Sequence, residues 1–166
     1  AGSKFDWKLL FCRITPQCMT PDEISSSLLE NDSSRVLAGC VEVRNSNDRT
    51  ILRAVAERVL PKRAQVEDIE LDGGIIPNKH WLQSALTRLE ISKSDTCFCT
   101  MYPHSEFYDL EKEQASHNLS TELKERILKT WSTYHISHCK NCGQCFEVHR
   151  ESGWHVSWRK WSELEV

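Results

Sequence analysis

The sequence predicts an α/β fold, with strands and helices alternating from Asp6 to Tyr102, followed by a helical, zinc-stapled extension from Pro103 to Val166. Three observations lead there. Apolar runs of strand length alternate with segments of helical spacing through the first hundred residues. Past Tyr102 the texture changes, and helical segments run into a cluster of three cysteines and four histidines between Tyr134 and Trp158. Of the eight cysteines, five (Cys97, Cys99, Cys139, Cys142 and Cys145) sit in close C-x-C and C-x-x-C spacings that suit a metal better than a disulfide framework.

Trp7 to Ile14 is an apolar run of strand character that stops before Pro16. Thr20-Pro21-Asp22-Glu23 is a capping box with proline at the first helical position, and it opens a short helix whose Ile24, Leu28 and Leu29 share a face. The β-branched and small residues of Val36 to Val43 read as a second, central strand. Asp48 or Thr50 caps a helix carrying Ile51, Leu52, Val55, Val59 and Leu60 until Pro61 ends it. Val66, Ile69 and Leu71 suggest a third strand before Gly73-Gly74. Pro77 and Asn78 open a helix with Trp81, Leu82, Ala85, Leu86 and Leu89 on its inner face, and Cys97 to Tyr102 reads as a fourth strand. In the extension, Glu106 to Gln114 and Thr121 to Thr133 read as helices, the second capped by Ser120 and carrying Leu123, Ile127, Leu128 and Trp131. Phe146 to His149 and Trp154 to Trp158 read as the arms of a hairpin turned at Glu151-Ser152-Gly153.

The composition narrows the function classes. No apolar run approaches the roughly 20 residues of a membrane span, so a soluble protein of the cytoplasm or nucleus is expected. There, the Asn31-Asp32-Ser33 and Asn118-Leu119-Ser120 sequons are silent. Ala1-Gly2-Ser3 has the texture of a cloning remnant, so a natural amino terminus elsewhere is the expectation. Twenty-one basic against 24 acidic residues leave a net charge of −3, so any nucleic-acid site must be a local cluster of cations. Cys12, Cys18 and Cys40 lie in or beside apolar runs and read as core or loop thiols.

Cys139-Lys140-Asn141-Cys142-Gly143 has the form of a zinc knuckle. Two thiolates so spaced can converge on one metal at about 2.3 Å, and the glycine frees the backbone to turn beneath it. Three completions of the shell compete. Cys97 and Cys99 would give a four-cysteine site; His149 and His155 would give a local two-cysteine, two-histidine site; Cys145, His138, His135 and His104 supply mixed alternatives. Ser137 to Gln144 resembles the central stretch of FYVE-type and related treble-clef zinc fingers. That resemblance implies zinc and a clef-like knuckle. The paired cysteines that flank such a finger are missing, so phosphoinositide binding does not carry over.

One catalytic reading competes with binding, and a second resemblance supports binding. His104-Ser105-Glu106 followed by Cys139 and Cys142 is similar to zinc deaminases, which would make His104 a ligand and Glu106 the general acid/base. His138 stands where that family has proline, and little chain follows. The strand and helix order of Asp6 to Leu89 is similar to the core of Rep-type replication initiators, without their paired histidines or nucleophilic tyrosine, which implies nucleic-acid binding without nicking. Walker and G-x-G-x-x-G loops do not occur. A binding function therefore leads. Arg44, Arg49, Arg53, Lys140, Arg150, Arg159 and Lys160, interleaved with Trp158 and its neighbours, are the candidate contacts to single-stranded DNA or RNA, since tryptophans beside cations stack bases and hold phosphates. The same tryptophan-rich carboxy terminus is the candidate surface for a protein partner.

Overall fold

A computed structural model describes residues 19–71, 78–104, 108–116, 118–127, 132–152 and 157–165. The strand expected at Trp7 to Ile14 lies outside the described residues, as do the side chains of residues 152, 157 and 158. Among the described residues, helices and a four-stranded antiparallel sheet make up the fold, and they are segregated along the chain instead of alternating. The chain divides into two compact units, Ala1–Leu89 and Glu90–Val166.

Among its described residues the first unit is helical. It contains α1 (Pro21–Leu29), α2 (Ser33–Asn45), α3 (Arg49–Val59), a 3-10 turn (Leu60–Lys62), α4 (Arg63–Glu67) and most of α5 (Asn78–Ser92). The capping box forms as its residues dictate: the Thr20 N–H donates to Glu23 Oε2 at 2.7 Å, and the Glu23 N–H donates to Thr20 Oγ1 at 3.3 Å. Asp48 caps α3 through the N–H groups of Thr50 and Ile51, and α3 buries Leu52, Val55, Ala56 and Val59.

The strand expected at Val36 to Val43 is instead the middle of α2. Its buried residues Val36, Gly39, Cys40 and Val43 follow the 3.6-residue period, and Asp32 accepts the Arg35 N–H at 2.9 Å as its N-cap. Burial against α1 outweighs the weak strand preference of its valines. Gly39 allows the close crossing, because a Cβ there would lie 3.0 Å from Leu28 Cγ. Nor is there a strand at Val66 to Leu71: Val66 is buried in α4, and Ile69 and Leu71 are irregular. Arg88, only 4% exposed, donates to the Ser46 carbonyl at 2.8 Å and to Asn47 Oδ1 at 2.9 Å, satisfying the chain where α2 ends.

The second unit opens with a 3-10 helix (Phe98–His104) where a strand was expected, then α6 (Leu110–Ala115), capped by Asp109. β1 (Leu119–Ile127), β2 (Ser132–Cys139), β3 (Cys145–Ser152) and β4 (Ser157–Leu164) follow as an antiparallel meander in the order β1-β2-β3-β4. The helical extension is therefore a correction. The helix read at Thr121 to Thr133 is replaced by β1 and the start of β2, and Leu123, counted on its buried face, is 49% exposed. Of the expected hairpin, β3 pairs antiparallel with β4, and Glu151 and Ser152, read as its turn, belong to β3, with Ser152 facing Ser157; Gly153 and Trp154 lie outside the described residues.

One face of the sheet carries Leu119, Cys139, Phe146, Val148 and Trp161, packed with Cys99, Met101, Tyr102, Tyr108 and Leu110. Tyr102 is the hub. Its ring lies 4.7 Å from Trp161, 4.9 Å from Tyr108 and 5.6 Å from Phe146, and its hydroxyl donates to Glu113 at 2.9 Å. Because Cys99 to Tyr102 fills this core, the division between units falls at Leu89, ahead of the Tyr102/Pro103 boundary read from the sequence.

Candidate metal centre

The knuckle is the turn that joins β2 to β3. The Gly143 N–H donates to the Cys139 carbonyl and the Cys139 N–H to the Gln144 carbonyl, both at 2.8 Å. Gly143 closes this turn at φ 81°, a left-handed conformation that costs a side-chain-bearing residue about 1–2 kcal/mol. Across from it, the Cys97 carbonyl accepts from the N–H of Thr100 at 3.2 Å and from its hydroxyl at 2.8 Å, a tight bend that presents Cys97 and Cys99 together. The Lys140 N–H donates to the Asn118 carbonyl, and Asn118 in turn donates to Glu113, so the knuckle is also tied to the start of β1 and to α6.

The sulfurs of Cys97, Cys99, Cys139 and Cys142 lie within 4.8 Å of one another. Cys97 Sγ is 3.6 Å from Cys139 Sγ, and Cys99 Sγ is 3.4 Å from Cys142 Sγ. A tetrahedral centre with metal–sulfur bonds of about 2.3 Å has sulfur–sulfur edges of about 3.8 Å, so small side-chain rotations bring the four thiols onto a metal. Cys99 and Cys139 are 2% and 3% exposed, Cys97 is half-buried, and Cys142 faces solvent. Burial pushes the Cys99 and Cys139 thiols above their ordinary pKa. Cys142 shifts the other way: slight burial opposes ionisation, but the Gln144 N–H and the neighbouring thiols of Cys99 and Cys97 stabilise its thiolate. A divalent cation among them would supply the charge the two buried sulfurs lack. An open cleft of about 430 Å³, lined by Cys142, Gly143, Gln144, Glu163, Leu164 and Glu165, flanks the knuckle.

The other candidate ligands are placed elsewhere. His149 stacks parallel on Tyr134 with centroids 4.2 Å apart and lies 3.6 Å from Glu151. It is four strand residues beyond Cys145, about 13 Å along β3. His138 is exposed, with Nε2 4.0 Å from the sulfur of buried Cys145, and His135 reaches Thr133 Oγ1 at 3.1 Å while burial lowers its pKa. His104 is exposed at the end of the 3-10 helix and is not grouped with Cys139 and Cys142. Glu106 and His155 lie outside the described residues. Among the described residues, the four cysteines are the group able to hold a metal ion.

The basic residues are divided between the units. In the first, the Arg44 guanidinium stacks over Trp81 at 4.6 Å, while α3 carries half-buried Arg49 and exposed Arg53. In the second, Lys140 and Lys160 are exposed. Arg150 pairs with Glu111, and Arg159 reaches Asp109 at 3.0 Å and Glu111 at 3.4 Å, with only 11% of its side chain exposed. These acidic partners stand at the start of α6 and were not singled out in the sequence, where nothing marks their spacing to strands some forty residues away. Asp109 keeps a lowered pKa: partial burial opposes this, but hydrogen bonds at the helix start and the Arg159 charge outweigh it. Trp161 is 4% exposed in the core and so belongs to packing. No helix among the described residues is long and apolar enough to cross a membrane. No family model, curated protein or solved structure matches this chain.

Proposed function

We propose that Glu90–Val166 is a structural zinc module and that the chain acts as a non-enzymatic binding protein. The convergence of four thiols from two segments carries this reading. Four thiolates fill a tetrahedral shell and leave no position open for water or substrate, which is the arrangement of a structural site and not of a catalytic one. A soft tetrahedral sulfur set takes zinc or iron. Of the two, zinc is the metal of closed four-cysteine structural shells, and a reducing compartment such as cytoplasm or nucleus suits four uncrosslinked thiols. Elemental analysis is expected to give one zinc per chain, with zinc lost in Cys97→Ser as fully as in Cys139→Ser. Iron in place of zinc, or metal-free protein of unchanged stability, would overturn the assignment.

The partner favoured for this module is a protein. Residues 90–166 carry nine Lys and Arg against twelve Asp and Glu, a formal balance of −3, while residues 1–89 balance at twelve of each. A zinc tetrathiolate adds two further negative charges, and Arg150 and Arg159 are engaged by carboxylates. The nucleic-acid reading keeps one specific support in the first unit, the Arg44–Trp81 stack, with Arg49 and Arg53 on α3 of the same unit. Titration of single-stranded oligonucleotides across a salt series separates the two. Binding that weakens steeply with salt and is lost in Arg49→Ala with Arg53→Ala would assign nucleic acid to the helical unit.

A further inference from the structure

We propose that the four-cysteine centre is also an oxidation site, at which a peroxide entering at Cys142 expels the metal and leaves two disulfides, Cys99–Cys142 and Cys97–Cys139, joining the same two segments. The inference rests on the zinc reading above and adds a regulation of that site. Three observations lead to it. Cys142 is exposed while its contact partner Cys99 is buried, so oxidant meets one sulfur first and a second stands 3.4 Å behind it. A second sulfur–sulfur contact, Cys97 to Cys139 at 3.6 Å, runs between the same two segments. Both contacts join residues 42 or 43 positions apart, so each crosslink would close a long loop and restrain the unfolded chain, as the metal does. A Cys139–Cys142 disulfide would close only the knuckle turn and leave Cys97 and Cys99 untethered.

The chemistry balances with a peroxide as oxidant. The Cys142 thiolate attacks the O–O bond, forming a sulfenic acid and releasing water after protonation. The Cys99 thiolate then displaces hydroxide from that sulfur, forming the S–S bond and a second water. Two cysteines lose one electron each and one peroxide gains two. The metal, deprived of two ligands, leaves as an unchanged dication, and a second peroxide oxidises Cys97 and Cys139 in the same way. Reduction by a dithiol reverses both steps and restores the ligands. Cys40, buried with its pKa pushed up to about 12, is a thiol that should stay reduced.

The test uses the zinc-loaded full chain carrying Cys12→Ser and Cys18→Ser, titrated with hydrogen peroxide. Zinc release is followed with a chromogenic chelator, and crosslinks are mapped by non-reducing peptide mass spectrometry. Expected is release of one zinc per chain, a mass decrease of about 4 Da for the two disulfides, and crosslinked peptides joining 99 to 142 and 97 to 139. Strand circular dichroism should persist after oxidation and zinc should rebind after reduction. In Cys142→Ser, zinc release should slow markedly; if that variant does not hold zinc, the crosslink map of the parent protein decides. A Cys139–Cys142 crosslink, sulfinic acid without crosslinks, or zinc retained through the titration would overturn the inference while leaving the zinc assignment intact. Protein isolated without zinc would instead overturn the zinc assignment on which it rests.

Discussion

The two units solve the same problem, burying enough apolar surface to stay folded, by different means. In the helical unit, α1, α2, α3 and α5 bury aliphatic side chains, among them Leu28, Val36, Leu52, Val55, Leu82, Leu86 and Leu89, each at 0% exposure. Its termini are satisfied locally, by Thr20, Asp32 and Asp48. The sheet unit has one covered face centred on a few aromatic rings, and its β1 edge is largely exposed. Where a core is small, a metal or another staple has to supply what packing does not. The four cysteines lie where that staple is needed, tying the 3-10 segment under the sheet to the β2–β3 turn.

The sharpest way to break this contrast is to remove the zinc proposed for the four cysteines. Binding energy of a structural zinc site is folding energy, on the order of 10 kcal/mol, so chelation or Cys139→Ser with Cys142→Ser should unfold the sheet unit. Limited proteolysis is then expected to digest residues 90–166 while a helical fragment ending near Leu89 survives. Simultaneous loss of both units would contradict the contrast.

Core truncations come next, and should act unit by unit. Phe146→Ala should cost about 3–5 kcal/mol and Leu86→Ala about 2–5 kcal/mol in denaturant unfolding. Phe146→Ala is expected to weaken zinc retention, because Phe146 and Cys139 share one cluster, whereas Leu86→Ala should leave zinc content unchanged.

Gly143→Ala is a smaller perturbation. Nothing crowds a Cβ there, so the cost is the left-handed backbone alone, about 1–2 kcal/mol, read as faster zinc loss to a competing chelator. Smallest is the ionic clasp between α6 and the sheet. The Asp109 carboxyl is held below its ordinary pKa in the folded protein, so its contribution is present above that ordinary value and is lost as pH falls through the folded one. Because the pair is partly solvated, Asp109→Asn should cost at most about 1 kcal/mol at neutral pH and reduce the slope of acid unfolding of the sheet unit, followed by near-ultraviolet circular dichroism.

Much of the helical unit was legible in its residues because its signals are local. Thr20-Pro21-Asp22-Glu23 satisfies its own helix start, Asp48 does the same for α3, and Leu82, Ala85, Leu86 and Leu89 repeat with the helical period they adopt. Val36 to Val43 misled because small and β-branched residues fit strand or helix equally, and contact with α1 makes the choice. In the second unit the hairpin of β3 and β4 could be anticipated. β1 could not, since Leu123 and Ile127 are spaced like a helix face, and only pairing Leu119 with Cys139 and Glu122 with Ile136 fixes them as strand.

By itself, then, the sequence determined the helix starts at Thr20 and Asp48, the knuckle of Cys139, Cys142 and Gly143, and the absence of any global attraction for phosphate, because each depends on residues within a few positions or on a simple sum of charge. Tertiary structure decided which of the completions read in the sequence brings its sulfurs together, that of Cys97 and Cys99, and it alone decided that Arg150 and Arg159 are neutralised by Asp109 and Glu111 and that Trp161 is core. Those outcomes follow from contacts between residues tens of positions apart, which pairing of strands and closure of the core bring together and which no local spacing encodes.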